Sequence, residues 1–189
     1  MSYPAPQFCS ATGTEVFDLT YCAQTGPTVT RCVAGAKPGF KGSAASRAGY
    51  KIYVALNADG VHYVGCTCTR MSSRLRLGYR SSKDGQNGYH GYKWLSKPGL
   101  QLYVFHLQGL VHPAPDDDTR LATQKVAERI EAELVYAVRA ATGQWPLSQH
   151  EIHFHNLAEN KELAQLTTRI AHQLYEQLPF TYSLTPANP

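Results

Sequence analysis

The chain has 189 residues and a net charge of +4, with 43% hydrophobic residues. That length fits one domain of ordinary size, and that apolar content supplies a real core and excludes global disorder. No run approaches the roughly 18 apolar residues of a membrane span, and the start, Met1-Ser2-Tyr3-Pro4-Ala5-Pro6, has neither a basic cluster nor an apolar stretch to serve as a cleaved export signal.

Residues 1–46 are rich in Ala, Gly, Ser, Thr and Pro, with short apolar islands such as Val16-Phe17 and Leu19, and read as an N-terminal extension packed on the core. The domain proper is expected over 47–189. Its first element is a hairpin from Tyr50 to Gly65, in which Asn57-Ala58-Asp59-Gly60 is a turn signal between two β-rich runs. The hairpin places Tyr53 and Tyr63 on neighbouring antiparallel strands. A short helix is expected around Met71 to Leu77, capped by Thr69 or Ser72 and ended by Gly78. Ser81 to Tyr92 reads as loop. Leu100 to Leu107 has β composition and makes a third strand.

Asp116-Asp117-Asp118-Thr119 offers capping oxygens and negative charge at the start of a helix reaching about Thr142, ended by Gly143. Ile152 to His155 reads as a short strand. Leu163, Leu166, Ile170, Leu174 and Leu178 line one face of a C-terminal helix. The fold class is α+β: a small three-stranded antiparallel sheet flanked by helices.

Charge is concentrated. Between Thr69 and Lys97 stand seven cations (Arg70, Arg74, Arg76, Arg80, Lys83, Lys93 and Lys97) and one acid, a net +6, so the remainder of the chain carries −2. Such a patch suits a polyanion. The five cysteines are an odd number without a C-x-x-C pair and read as reduced thiols of a cytoplasmic protein, or of one delivered into another cell without a cleavable signal. A zinc site using Cys66 and Cys68 is the minor alternative, since a one-residue spacing is not the usual knuckle.

The order of these pieces resembles the GIY-YIG nuclease family. Lys51-Ile52-Tyr53 stands where that family has Gly-Ile-Tyr, with the glycine replaced, and Tyr63-Val64-Gly65 is a close form of the second motif. Arg74 fits the arginine that follows on the next helix, with Arg70 and Arg76 as competing candidates. Glu131-Ala132-Glu133-Leu134-Val135 matches the E-x-x-L-(I/V) context of the metal-binding glutamate and favours Glu131, although helical geometry alone leaves Glu131 and Glu133 equivalent. Where many members carry a histidine or tyrosine shortly after the arginine, this chain offers Tyr79, or His90 from the loop. The family's later asparagine has only the distant Asn156 as a counterpart.

The resemblance implies a metal-dependent DNA endonuclease, either a restriction enzyme or a DNase toxin. Tyr53 or Tyr63 would take a proton from the attacking water. A phenol with a solution pKa of about 10 needs help for that, and Arg74 with a cation would favour phenolate. Arg74 would clamp the scissile phosphate, and Glu131 would hold one Mg2+ or Mn2+. The implied partners are DNA and either an inhibitory protein of the immunity type or a cognate methyltransferase system. A homodimer is left open, and no membrane is involved. The competing class is a non-catalytic DNA-binding module on the same scaffold.

Overall fold

A computed structural model describes residues 3–22, 26–31, 39–84, 93–157 and 159–179. In chain order it contains a helical turn α1 (Ser10–Gly13), strands β1 (Thr14–Cys22) and β2 (Gly26–Arg31), and a 3-10 turn at Ala44–Ser46. The hairpin β3 (Lys51–Asn57) and β4 (Gly60–Thr67) follows, then helix α2 (Met71–Asp84), a 3-10 turn at Lys93–Ser96 and strand β5 (Leu100–His106). Helices α3 (Asp117–Thr142) and α4 (Lys161–Glu176) complete it.

All strand pairings are antiparallel, and the order across the sheet is β2-β1-β5-β3-β4. The sheet therefore has five strands rather than three. The two additional strands come from the segment that reads as an N-terminal extension. Glu15 explains why β1 escapes a pattern search. It is buried in the strand and accepts from Ala44 N at 3.1 Å and Ala45 N at 2.8 Å, with His106 Nε2 at 3.1 Å. A carboxylate thus occupies an inward position where alternation demands an apolar residue.

The sheet is covered on both faces. Ile52, Val54 and Leu56 pack with Ile130, Leu134 and Leu174 of α3 and α4 on one side. Tyr53, Ala55 and Leu102 pack with Met71, Leu75 and Trp94 on the other. Covered twice, β3 is buried at every position, as a central strand in a three-layer arrangement must be.

Local signals account for most boundaries. Asp59 N donates to Asn57 Oδ1 at 2.9 Å, and Gly60 takes φ +125° to close the hairpin. The Asp116 side chain accepts from Thr119 N at 2.7 Å to start α3, and Gly143 ends it in the left-handed region at φ +73°. Two elements differ from expectation. Helix α2 runs through the buried Gly78 to Asp84, because one glycine costs a helix only about 1 kcal/mol and packing offsets that. Residues 151–157 form no strand. They lie against the middle of α3, where Arg129 donates to His155 O, Glu128 pairs with the His155 ring and Tyr136 packs on Phe154. The expected loop from Ser81 enters α2 as far as Asp84, and 85–92 lie outside the described residues. Among the described residues no helix is long and apolar enough to cross a membrane.

Candidate active site

The register of β3 and β4 sets Tyr53 opposite Gly65 and Ala55 opposite Tyr63. Strand alternation then brings both phenols to the α2 face. Their ring centroids are 6.0 Å apart, and Tyr63 stacks on Trp94 at 5.8 Å with the planes 19° apart. Gly65 makes room for the pair. A Cβ there would sit 2.5 Å from both Cζ and the hydroxyl of Tyr53 and 2.6 Å from Cε1 of Tyr63. The glycine is required by a close approach, since no side chain occupies that space without moving a ring.

Helix α2 turns its buried Met71 and Leu75 into this layer, which aims Arg74 along the strands. Arg74 Nε donates to the Tyr53 hydroxyl at 3.1 Å. Tyr53 is fully buried, whereas Tyr63 and Arg74 line a cavity of about 710 Å3.

Glu131 reaches the same cavity from the opposite layer. The meeting point is the edge of β4, which no further strand covers among the described residues. Part of that edge is closed by Leu147 N and Ser148 N donating to the carbonyls of Val61 and His62 at 2.9 and 2.7 Å. Gln149 Oε1 accepts from Val64 N at 3.1 Å. Further along, Cys66 of β4 lines the same cavity as Glu131, and its backbone and side chain favour the charged form of that carboxyl.

Electrostatics mark this carboxyl out. Burial, reinforced by the charge of Glu128, pushes the Glu131 carboxyl up to about 8, with the Arg74 guanidinium and the Cys66 bonds opposing. Burial and the two glutamates likewise push the Cys66 thiol up. A carboxyl raised by confinement and by a second carboxylate is stabilised as an anion when a cation enters. Its oxygen donors suit a hard, hydrated ion such as Mg2+ or Mn2+. Among the described residues no group of three or more His, Cys, Asp or Glu is arranged to hold a metal. A single-carboxylate ion that keeps its waters does not need one.

The remaining candidates separate clearly. Glu133 pairs with Arg129 at 2.9 and 2.5 Å and does not line the cavity. Arg70, Arg76, Lys93 and Lys97 are exposed and outside the cavity wall. Trp94 is core. Tyr79 packs edge-on against Tyr21 at 6.0 Å. Asn156 is exposed and lies outside the cavity wall. The side chains of Arg80 and Lys83, and His90 altogether, lie outside the described residues.

Sequence reading passed over a polar stripe on α3. Arg120, Gln124, Glu128 and Glu131 all line the cavity, and their spacing of four, four and three residues is one helix face. That spacing was available in the sequence. His150 and His153 join the wall from the segment that covers the β4 edge.

No family model, no curated protein and no solved structure matches the chain.

Proposed function

We propose that the protein is a metal-dependent endonuclease that hydrolyses phosphodiester bonds in DNA. The observation that carries this reading is the convergence of Tyr63, Arg74 and Glu131 on one cavity at the β4 edge, from three different elements. Three such groups brought together from separate layers serve no evident packing need.

In this reading Arg74 binds the scissile phosphate and stabilises the charge that develops on it. Its bond to Tyr53 fixes the guanidinium, so the buried phenol acts as a positioning group. Tyr63, which lines the cavity, takes the proton from the attacking water. Glu131 would hold Mg2+ or Mn2+, which when bound supplies positive charge to the phosphoryl oxygens and the leaving 3′ oxygen. The exposed cations of α2 and of the Lys93–Ser96 turn would carry the flanking DNA backbone.

The test is supercoiled plasmid incubated with the purified protein and Mg2+ or Mn2+, with and without EDTA. Nicking or linearisation that EDTA stops, and that Arg74→Ala and Glu131→Ala each reduce by about 100-fold or more, is the expected result. Salt-sensitive DNA binding without turnover would instead favour a non-catalytic module. Full activity in both variants removes the proposed site.

A further inference from the structure

Glu128 lies one turn before Glu131 on α3, and both line the cavity. Unlike Glu131, it is held from two directions. Gln124 Nε2 donates to Oε1 at 2.7 Å, and His155 Nε2 stands 2.5 Å from Oε2. His155 is itself fixed, because Arg129 donates to its carbonyl at 2.8 Å while pairing with Glu133. The Glu128 side chain is 16% exposed and that of His155 31%.

A carboxylate oxygen accepts more than one hydrogen bond. Each oxygen of Glu128 therefore keeps accepting capacity after Gln124 and His155 are satisfied. Glu128 and Glu131 bring two carboxylates to one cavity wall, and like charges that share a site are favoured together when a cation joins them. Mg2+ and Mn2+ keep several waters when one carboxylate binds them, and those waters need oriented acceptors.

We propose that Glu128, oriented by Gln124 and His155, is a positioning residue that accepts hydrogen bonds from the water ligands of a divalent ion held by Glu131. This rests on the nuclease reading above and adds to it a carboxylate, an amide and a histidine. The competing role is purely mechanical: Glu128 would only tie residues 151–157 to α3.

Direct Mn2+ titration, read from the electron paramagnetic resonance signal of the free ion, separates the possibilities without any activity assay. Folding is checked by thermal melting. Glu131→Gln should lose Mn2+ binding, and Glu128→Gln should weaken it about tenfold. His155→Ala should weaken it to a similar degree, and His155→Gln, which keeps a donor, should recover most of it. If Glu128→Gln does not fold, Gln124→Met removes one of the two orienting bonds and should weaken Mn2+ binding several-fold. Glu128→Gln (or Gln124→Met, should the former not fold) binding Mn2+ within about twofold of wild type, while Glu131→Gln has lost it, overturns this inference and leaves the nuclease reading standing. Wild-type Mn2+ binding by Glu131→Gln removes both.

Discussion

Gly65 faces Tyr53 directly across the β3–β4 ladder, and the phenol occupies the volume that a side chain at 65 would need. The glycine of the second motif is thus explained by space rather than by backbone conformation. Gly65→Ala should displace both rings, lower stability by about 1–3 kcal/mol as overpacking does, and reduce plasmid cleavage more than that loss explains. Urea unfolding and cleavage rates on the same preparation check this. An alanine variant of unaltered activity would mean that the ring positions are irrelevant to the chemistry.

The two tyrosines should behave differently. Tyr63 lines the cavity, whereas Tyr53 is buried behind Arg74 and accepts from its Nε at 3.1 Å. Tyr63→Phe should cost cleavage about 100-fold or more, the range for a proton-transfer group. Tyr53→Phe should cost about tenfold through a less constrained arginine, because positioning is worth less than the transferred proton. Single-turnover rates at saturating DNA separate the two. Equal losses would assign both phenols the same role.

Glu131 and Glu133 are two residues apart on α3 yet belong to different structures. Glu133 is paired with Arg129, both side chains being largely buried. Glu133→Gln should therefore lower stability by about 2 kcal/mol, the scale of a hydrogen bond to a charged group, and leave cleavage at saturating metal and DNA unchanged. Glu131→Gln should do the reverse. A Glu133→Gln protein that folds normally but cannot cut DNA would transfer the metal role to the other carboxylate.

How far the sequence foretold this site depends on the range of the interactions involved. The β3–β4 hairpin was legible because its turn chemistry is local: Asn57 and Gly60 close it by themselves. The phenol pair followed from alternation. Helix α3 declared both its ends through Asp116 and Gly143. What stayed hidden depends on distant partners. Strand β1 pairs with β5, some eighty residues away, and buries Glu15 against the Ala44–Ser46 turn. No periodicity reports that. The different surroundings of Glu131, which lines the cavity, and Glu133, which pairs with Arg129, likewise come from other layers and partners rather than from helix geometry.

The basic patch yields a prediction about binding rather than catalysis. Arg76 and Lys97 are exposed and outside the cavity wall. Arg76→Ala and Lys97→Ala should each weaken DNA binding at every sequence and lower the slope of log affinity against log salt by about 1. Cleavage at saturating DNA should not change. Filter binding at several salt concentrations provides the slope. A substitution that changes sequence preference instead would point to base contacts.

Lys51 stands where the resembled motif has glycine, and its side chain is buried beneath the turn before β3. Its Nζ donates to Arg47 O at 3.0 Å and also to Gly49 O. Burial lowers its pKa from 10.5 to about 8, against the opposing influence of Cys68 and Glu15. Between those values the unfolded lysine binds a proton that the folded one has lost, so this residue makes stability rise with pH through that window. Below about 8 both states are protonated and its contribution is flat. Wild type should therefore gain stability relative to Lys51→Met between pH 8 and pH 10.5, by up to about 1.4 kcal/mol per pH unit. Comparing the two proteins removes the groups whose burial acts in the opposite direction, such as Tyr50 and Cys66. Urea midpoints measured in parallel across that range check the sign, and a difference that shrinks as pH rises would show that Lys51 keeps its proton in the fold.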